Sequence, residues 1–117
     1  MASFTAAISD FRRDDDLGVE LVVIAERADG SGQRLEFQRS LHPDEQDRAL
    51  GLDPYCVVRD GGATHYGGVS DWRIADGSLV LTLDREAEAS LGAREFVIDV
   101  PPTEQDAIEA ALRRLLA

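Results

Sequence analysis

Apolar residues recur at every second position in run after run of this chain, and clusters of aspartate and glycine stand between the runs. Such alternation marks strands with one buried face, whereas a helix repeats every three or four positions. Leu17, Val19, Leu21 and Val23 point one way and Val22 and Ile24 the other, so this strand is expected at the centre of a sheet, with apolar cover on parts of both faces. Ala28-Asp29-Gly30-Ser31-Gly32 supplies turn chemistry, and Leu35, Phe37 and Leu41 resume the alternation beyond it, which predicts a hairpin. A second hairpin joins Tyr55 to Asp60 with Thr64 to Val69 across Asp60-Gly61-Gly62. A third joins Trp72 and Ile74 to Leu79, Leu81 and Leu83 across Asp76-Gly77. Gly67-Gly68 reads either as a bulge or as a place where another backbone comes close. Phe4, Ala6 and Ile8 predict a first strand with Phe11 near its end, Arg12 to Asp16 a charged turn, and Phe96, Ile98 and Val100 a last strand of the sheet.

Three stretches break the alternation. Pro43 suits the first position of a short helix within His42 to Leu50 that Gly51 ends, with an irregular loop as the competing reading. Asp84 can cap a helix over Arg85 to Leu91, and Gly92 sits where a left-handed cap belongs. After Pro101-Pro102, Thr103 is placed to cap a final helix whose stripe of Ala107, Ile108, Ala111, Leu112 and Leu115 must dock on the sheet. Together these predict an α+β fold: an antiparallel β-sheet of hairpins with a short helix and a C-terminal helix packed on it. At 117 residues the expectation is a single domain spanning 1–117.

Charge narrows the function. Against 23 acidic residues stand 12 basic ones, all arginine, for a formal charge of −11. A chain that competes for phosphates needs a basic face, so direct binding of nucleic acid is not expected. Such a field steers a basic partner, although net charge also serves solubility alone. No apolar run is long enough for a membrane span. The first residues lack a secretory leader, and the lone Cys56 excludes an internal disulfide, so a reducing cytoplasm is the expected location.

Each candidate site has a structural competitor. Asp14-Asp15-Asp16 lacks the ligand pattern of a calcium loop. Asp44, Glu45 and Asp47 put three carboxylates in four residues. Asp44 and Asp47 share a helical face and so suit acid/base work or magnesium, yet carboxylates at a helix start also favour the helix itself. Cys56, His65 and Tyr66 can be imagined as nucleophile and acid/base pair, but a cysteine in a Tyr-Cys-Val-Val strand also serves as a small core residue. Tyr55, Tyr66 and Trp72 are either interface anchors or core. No cofactor fingerprint is present, and none is expected to bind.

The order Leu-x-x-Asp-Glu-Gln-Asp-x-x-Leu-Gly over Leu41 to Gly51, then Tyr55-Cys56-Val57-Val58, then Tyr66-Gly67-Gly68-Val69, resembles the immunity protein 10 family of bacterial polymorphic toxin systems. The likeness runs from about Leu35 to Phe96. It implies a cytoplasmic, non-enzymatic protein, encoded beside a secreted toxin, that protects producer and kin cells by binding that toxin. The binding residues are then expected among Asp44, Glu45, Asp47, Tyr66 and Trp72, facing a basic toxin domain. The alternative is a small enzyme using Asp44, Asp47 and His65, with or without a metal. A monomer and a homodimer paired through an edge strand both fit.

Overall fold

Asp76 and Gly77 both take positive φ, 54° and 81°, the conformations a two-residue turn needs to follow the twist of its flanking strands. They join β7 (Val69–Ala75) to β8 (Ser78–Leu83), with Trp72 opposite Leu81 and Ile74 opposite Leu79. β8 pairs with β9 (Glu95–Asp99) and β9 with β1 (Ala2–Thr5), which makes a four-stranded sheet in the order β1-β9-β8-β7. The β1–β9 pair is parallel and the others are antiparallel. A second, five-stranded sheet runs in chain order through β2 (Ile8–Asp14), β3 (Val19–Ala25), β4 (Arg34–Ser40), β5 (Cys56–Arg59) and β6 (Thr64–Tyr66), antiparallel throughout. The helices are α1 (Glu45–Ala49), α2 (Arg85–Leu91) and α3 (Gln105–Leu115). This architecture comes from a computed structural model that describes residues 1–51 and 54–116, so Leu52, next to the Leu50-Gly51 pair, lies outside the described residues. The α+β class expected from the sequence holds, with the strands divided between two sheets.

Alternate residues of both sheets turn toward one buried cluster. Val22, Ile24, Leu35, Phe37 and Val57 come from the five-stranded sheet, and Leu79, Leu81, Phe96 and Ile98 from the four-stranded one. Ile108, Ala111, Leu112 and Leu115 of α3 and Ala87 and Leu91 of α2 join the same cluster. Polar contacts seat α3. The Ser9 hydroxyl donates to the Glu104 carboxylate (3.1 Å), and Arg39 donates to the Leu115 carbonyl (3.3 Å). Glu20 is the buried carboxylate of β3, and Arg114 of α3 stands 3.4 Å from it. A carboxylate so far out of water needs a cation beside it, and α3 brings one.

The structure differs from the sequence reading at three places. The expected first strand is two strands: consecutive amides at its break part company, Ala6 donating to Asp99 of one sheet (2.8 Å) and Ala7 to Ala25 of the other (2.9 Å). β2 then continues through Arg12 and Arg13 to Asp14, and the turn is shorter than expected, with Leu17 N–H donating to the Asp14 side chain (2.9 Å). Thr103 does not cap α3. That place falls to Glu104, whose backbone is helical and whose side chain is engaged with Ser9.

Asp84 caps α2 as expected, accepting from the Ala87 N–H (2.8 Å), and Gly92 ends the helix at φ 80°. Asp84→Ala removes that acceptor and should cost about 1 kcal/mol, read as a lower midpoint with unchanged slope in a denaturant titration. No loss would mean that α2 is held by packing alone.

Candidate functional site

The five-stranded sheet has a face that neither α2 nor α3 covers and that α1 borders at one end. α3 shares a cleft with Ser9, Phe11 and Val22, and α2 packs against β6 through His65 and Ser90, so both lie on the inward side. On the outward side the register lines up cross-strand rows: Asp10, Val23, Glu36, Val58 and Thr64 in one, Arg12, Leu21, Gln38, Cys56 and Tyr66 in the next. Ile8 and Ala25 stand at one end of the face, Val19 and Ser40 at the other.

Two shallow grooves cross this face. One is floored by Ile8, Leu21, Val23 and Ala25 and edged by Asp10, Asp29 and Glu36. The other lies between α1 and the sheet, lined by Val19, Gln38, Asp47, Cys56 and Tyr66 among others. Solvent-facing positions of an antiparallel sheet are ordinarily polar. β4 obeys with Arg34, Glu36, Gln38 and Ser40, whereas β3 presents Val19, Leu21 and Val23, each partly exposed. Cover on the outward face of β3 is partial: Ala25 at one end is buried, while Val19, Leu21 and Val23 stay partly exposed.

α1 forms because its acids cap it. The Asp47 N–H donates to Asp44 Oδ1 (2.7 Å) and the Asp44 N–H to Asp47 Oδ2 (3.1 Å), a reciprocal capping box. The structural competitor for these two carboxylates thus holds, yet each keeps one oxygen outside the box, Asp44 and Glu45 are exposed, and Asp47 faces the groove beside Tyr66. Tyr66 is 44% exposed. Trp72 is not with them: it lies on the other sheet and packs against the core from β7. Tyr55 is core as well, its hydroxyl accepting from the Val69 N–H (3.0 Å).

The residues of the enzymatic alternative are kept apart. Neighbours along a strand point to opposite faces, so His65 turns inward, where Nδ1 hydrogen-bonds Ser90 Oγ (3.0 Å), while Tyr66 and Asp47 share the outward groove. Cys56 stands opposite Tyr66, not His65. Burial pushes its thiol pKa up, and the charge of Glu36 adds to that. A raised folded pKa supports folding below the ordinary thiol value of about 8.5, and the contribution is lost as pH rises through the folded value. Alkylation of Cys56 at pH 7 should therefore run at least about 10-fold slower in the folded than in the unfolded chain; equal rates would place the thiol in solvent. Among the described residues no group of three or more His, Cys, Asp or Glu side chains is placed to hold a metal ion, and no helix is long and apolar enough to cross a membrane.

Residues 5–107, most of the chain, match the protein family described as Immunity protein 10. The chain belongs to this family. Membership in the immunity protein 10 family carries an immunity function in general terms. Searches of curated proteins and of solved structures return no match. The sequence puts Val19, Leu21 and Val23 of this immunity protein on one face of β3 without saying which face: that follows from the register, in which Leu35 and Phe37 stand opposite Ile24 and Val22 on the inward side and leave Leu21 and Val23 outside.

Proposed function

We propose that the chain neutralises the cognate secreted toxin of a polymorphic toxin system inside the producing cell, by laying an acidic surface over a basic one on the toxin domain. The family match over residues 5–107 is the observation that carries this reading. The chemistry beside it agrees: Asp44, Glu45 and Asp47 gather at α1 next to exposed Tyr66, in a chain of formal charge −11. Complementary fields speed encounter and discourage wrong partners, which suits an antidote that must act before damage accumulates. Trp72, held against the core on the other sheet, takes no part in this reading. The protein acts as a binder in the cytoplasm and turns over no substrate. Cells producing the toxin domain encoded beside this reading frame should survive when the chain is co-produced, and the purified pair should form a complex that abolishes toxin activity. Survival unchanged by the chain would reject the reading.

Charge at α1 gives a finer test. Reversing Asp44 or Asp47 also destroys the capping box, whereas Glu45→Arg, exposed and outside that box, leaves its hydrogen bonds in place. Association with the toxin domain should slow by about 3- to 10-fold at low salt, and its dependence on salt should flatten. Kinetics identical to the parent chain would remove α1 from the interface.

A further inference from the structure

We infer that the toxin-binding surface is the whole outward face of the five-stranded sheet, with the aliphatic stripe of β3 at its centre and the acids of α1 at its rim. The inference rests on the proposed function and adds to it the location of the binding energy and the chemistry of the partner's surface. Val19, Leu21 and Val23 occupy positions that a solvated strand would fill with polar residues, Ile8 (36% exposed) on β2 adds to the stripe, and Val58 on β5 stands beyond Glu36 in the same row as Val23. Nothing in the fold requires aliphatic groups there, since the core of β3 is made by Val22 and Ile24 on its other side.

The occupant follows from charge. Asp10, Asp14, Glu36, Asp44, Glu45 and Asp47 belong to this face and its rim, against Arg12, Arg34 and Arg48; Arg12 and Asp10 engage each other (2.6 Å), and the acids still outnumber the arginines among the rest. An apolar centre inside an acidic rim fits a partner that presents exposed aliphatic or aromatic side chains among basic ones. A second copy of this chain fits badly, because two such faces would oppose like charges. Interface cores of this kind set the dissociation rate, and rim charges the association rate.

The two roles separate in one experiment on the full chain with the toxin domain encoded beside it. Leu21→Thr with Val23→Thr keeps strand-compatible residues on the outward side while removing aliphatic surface. Val80→Thr, outward on the other sheet, is the control. Dissociation should accelerate about 10-fold or more for the double variant, with association and thermal midpoint near those of the parent, and the control should bind as the parent does. In the parent complex, which needs no variant, carbodiimide labelling of Asp10 and Glu36 should fall while that of Asp71 and Asp76 stays. Binding by the parent with unchanged dissociation in the double variant, or with Asp10 and Glu36 still labelled, overturns this inference and leaves the proposed function standing. A parent chain that does not bind the toxin domain overturns both, and a parent that dimerises through this face assigns it to a second copy and overturns the inference.

Discussion

Phe37→Ala should cost about 3–5 kcal/mol of folding free energy, about a fifth or more of what a chain of this size ordinarily has to lose. Phe37 is fully buried on β4, the strand at the middle of the five-stranded sheet, with Val22 opposite it on β3 and Val57 opposite it on β5. Removing the ring takes away its transfer free energy and leaves a cavity that rigid strands on both sides cannot close. Guanidinium titration monitored by the signal of Trp72 reads the loss directly. A cost below about 1 kcal/mol would mean that the sheet relaxes into the space, contrary to the tight packing of its inward face.

Gly68→Ala is the second large effect, and its cause is different. Gly68 has φ 92°, and a Cβ there would lie 2.6 Å from Ala87 Cβ and 2.9 Å from His65 Cδ2. The residue stands where the chain leaves β6 of one sheet for β7 of the other, with its carbonyl accepting from the Asp84 N–H (2.8 Å) at the start of α2. Left-handed backbone costs a residue with a Cβ about 1–2 kcal/mol, and forcing a methyl group into a packed site adds about 1–3. The expected loss is therefore about 2–5 kcal/mol. Gly67→Ala next to it is the internal comparison: φ is 71° but a Cβ would meet nothing within 4 Å, so only the backbone cost of about 1–2 kcal/mol applies. Equal losses at the two positions would show that the approach of α2 does not constrain the junction. Of the two readings of Gly67-Gly68, close approach describes Gly68, while the bulge of this region falls one step later, between Val69 and Asp71.

The hairpins were legible because their turns need positive φ and the sequence supplies aspartate and glycine there, as at Asp76-Gly77. The partition into two sheets was not. Alternation continues unbroken through Ala6 and Ala7, and only the partners of their amides reveal that the chain has changed sheets. The two faces of β3 were equally hard to rank, since aliphatic residues occupy both and the inward one also carries Glu20, which α3 neutralises from far along the chain. At the candidate site, the acidic segment was readable as chemistry and as a helix start, and the capping box of Asp44 and Asp47 bears out the helix start. Tyr66 and Trp72 are alike in type, and strand parity separates them: one turns to solvent beside Asp47, the other to the core. Parity likewise divides His65 from Cys56 and Asp47, a distinction that depends on register and not on residue type.

The proposed meeting of an acidic face with a basic one is tested most directly by the rate at which the parent chain associates with the toxin domain encoded beside it as ionic strength is raised. Between about 0.01 M and about 1 M salt the range over which charges act shrinks from about 30 Å to about 3 Å. The association rate constant should fall by about 10-fold or more over that range, with the dissociation rate changing far less. An association rate that stays level across the series would contradict an interface of opposite charges.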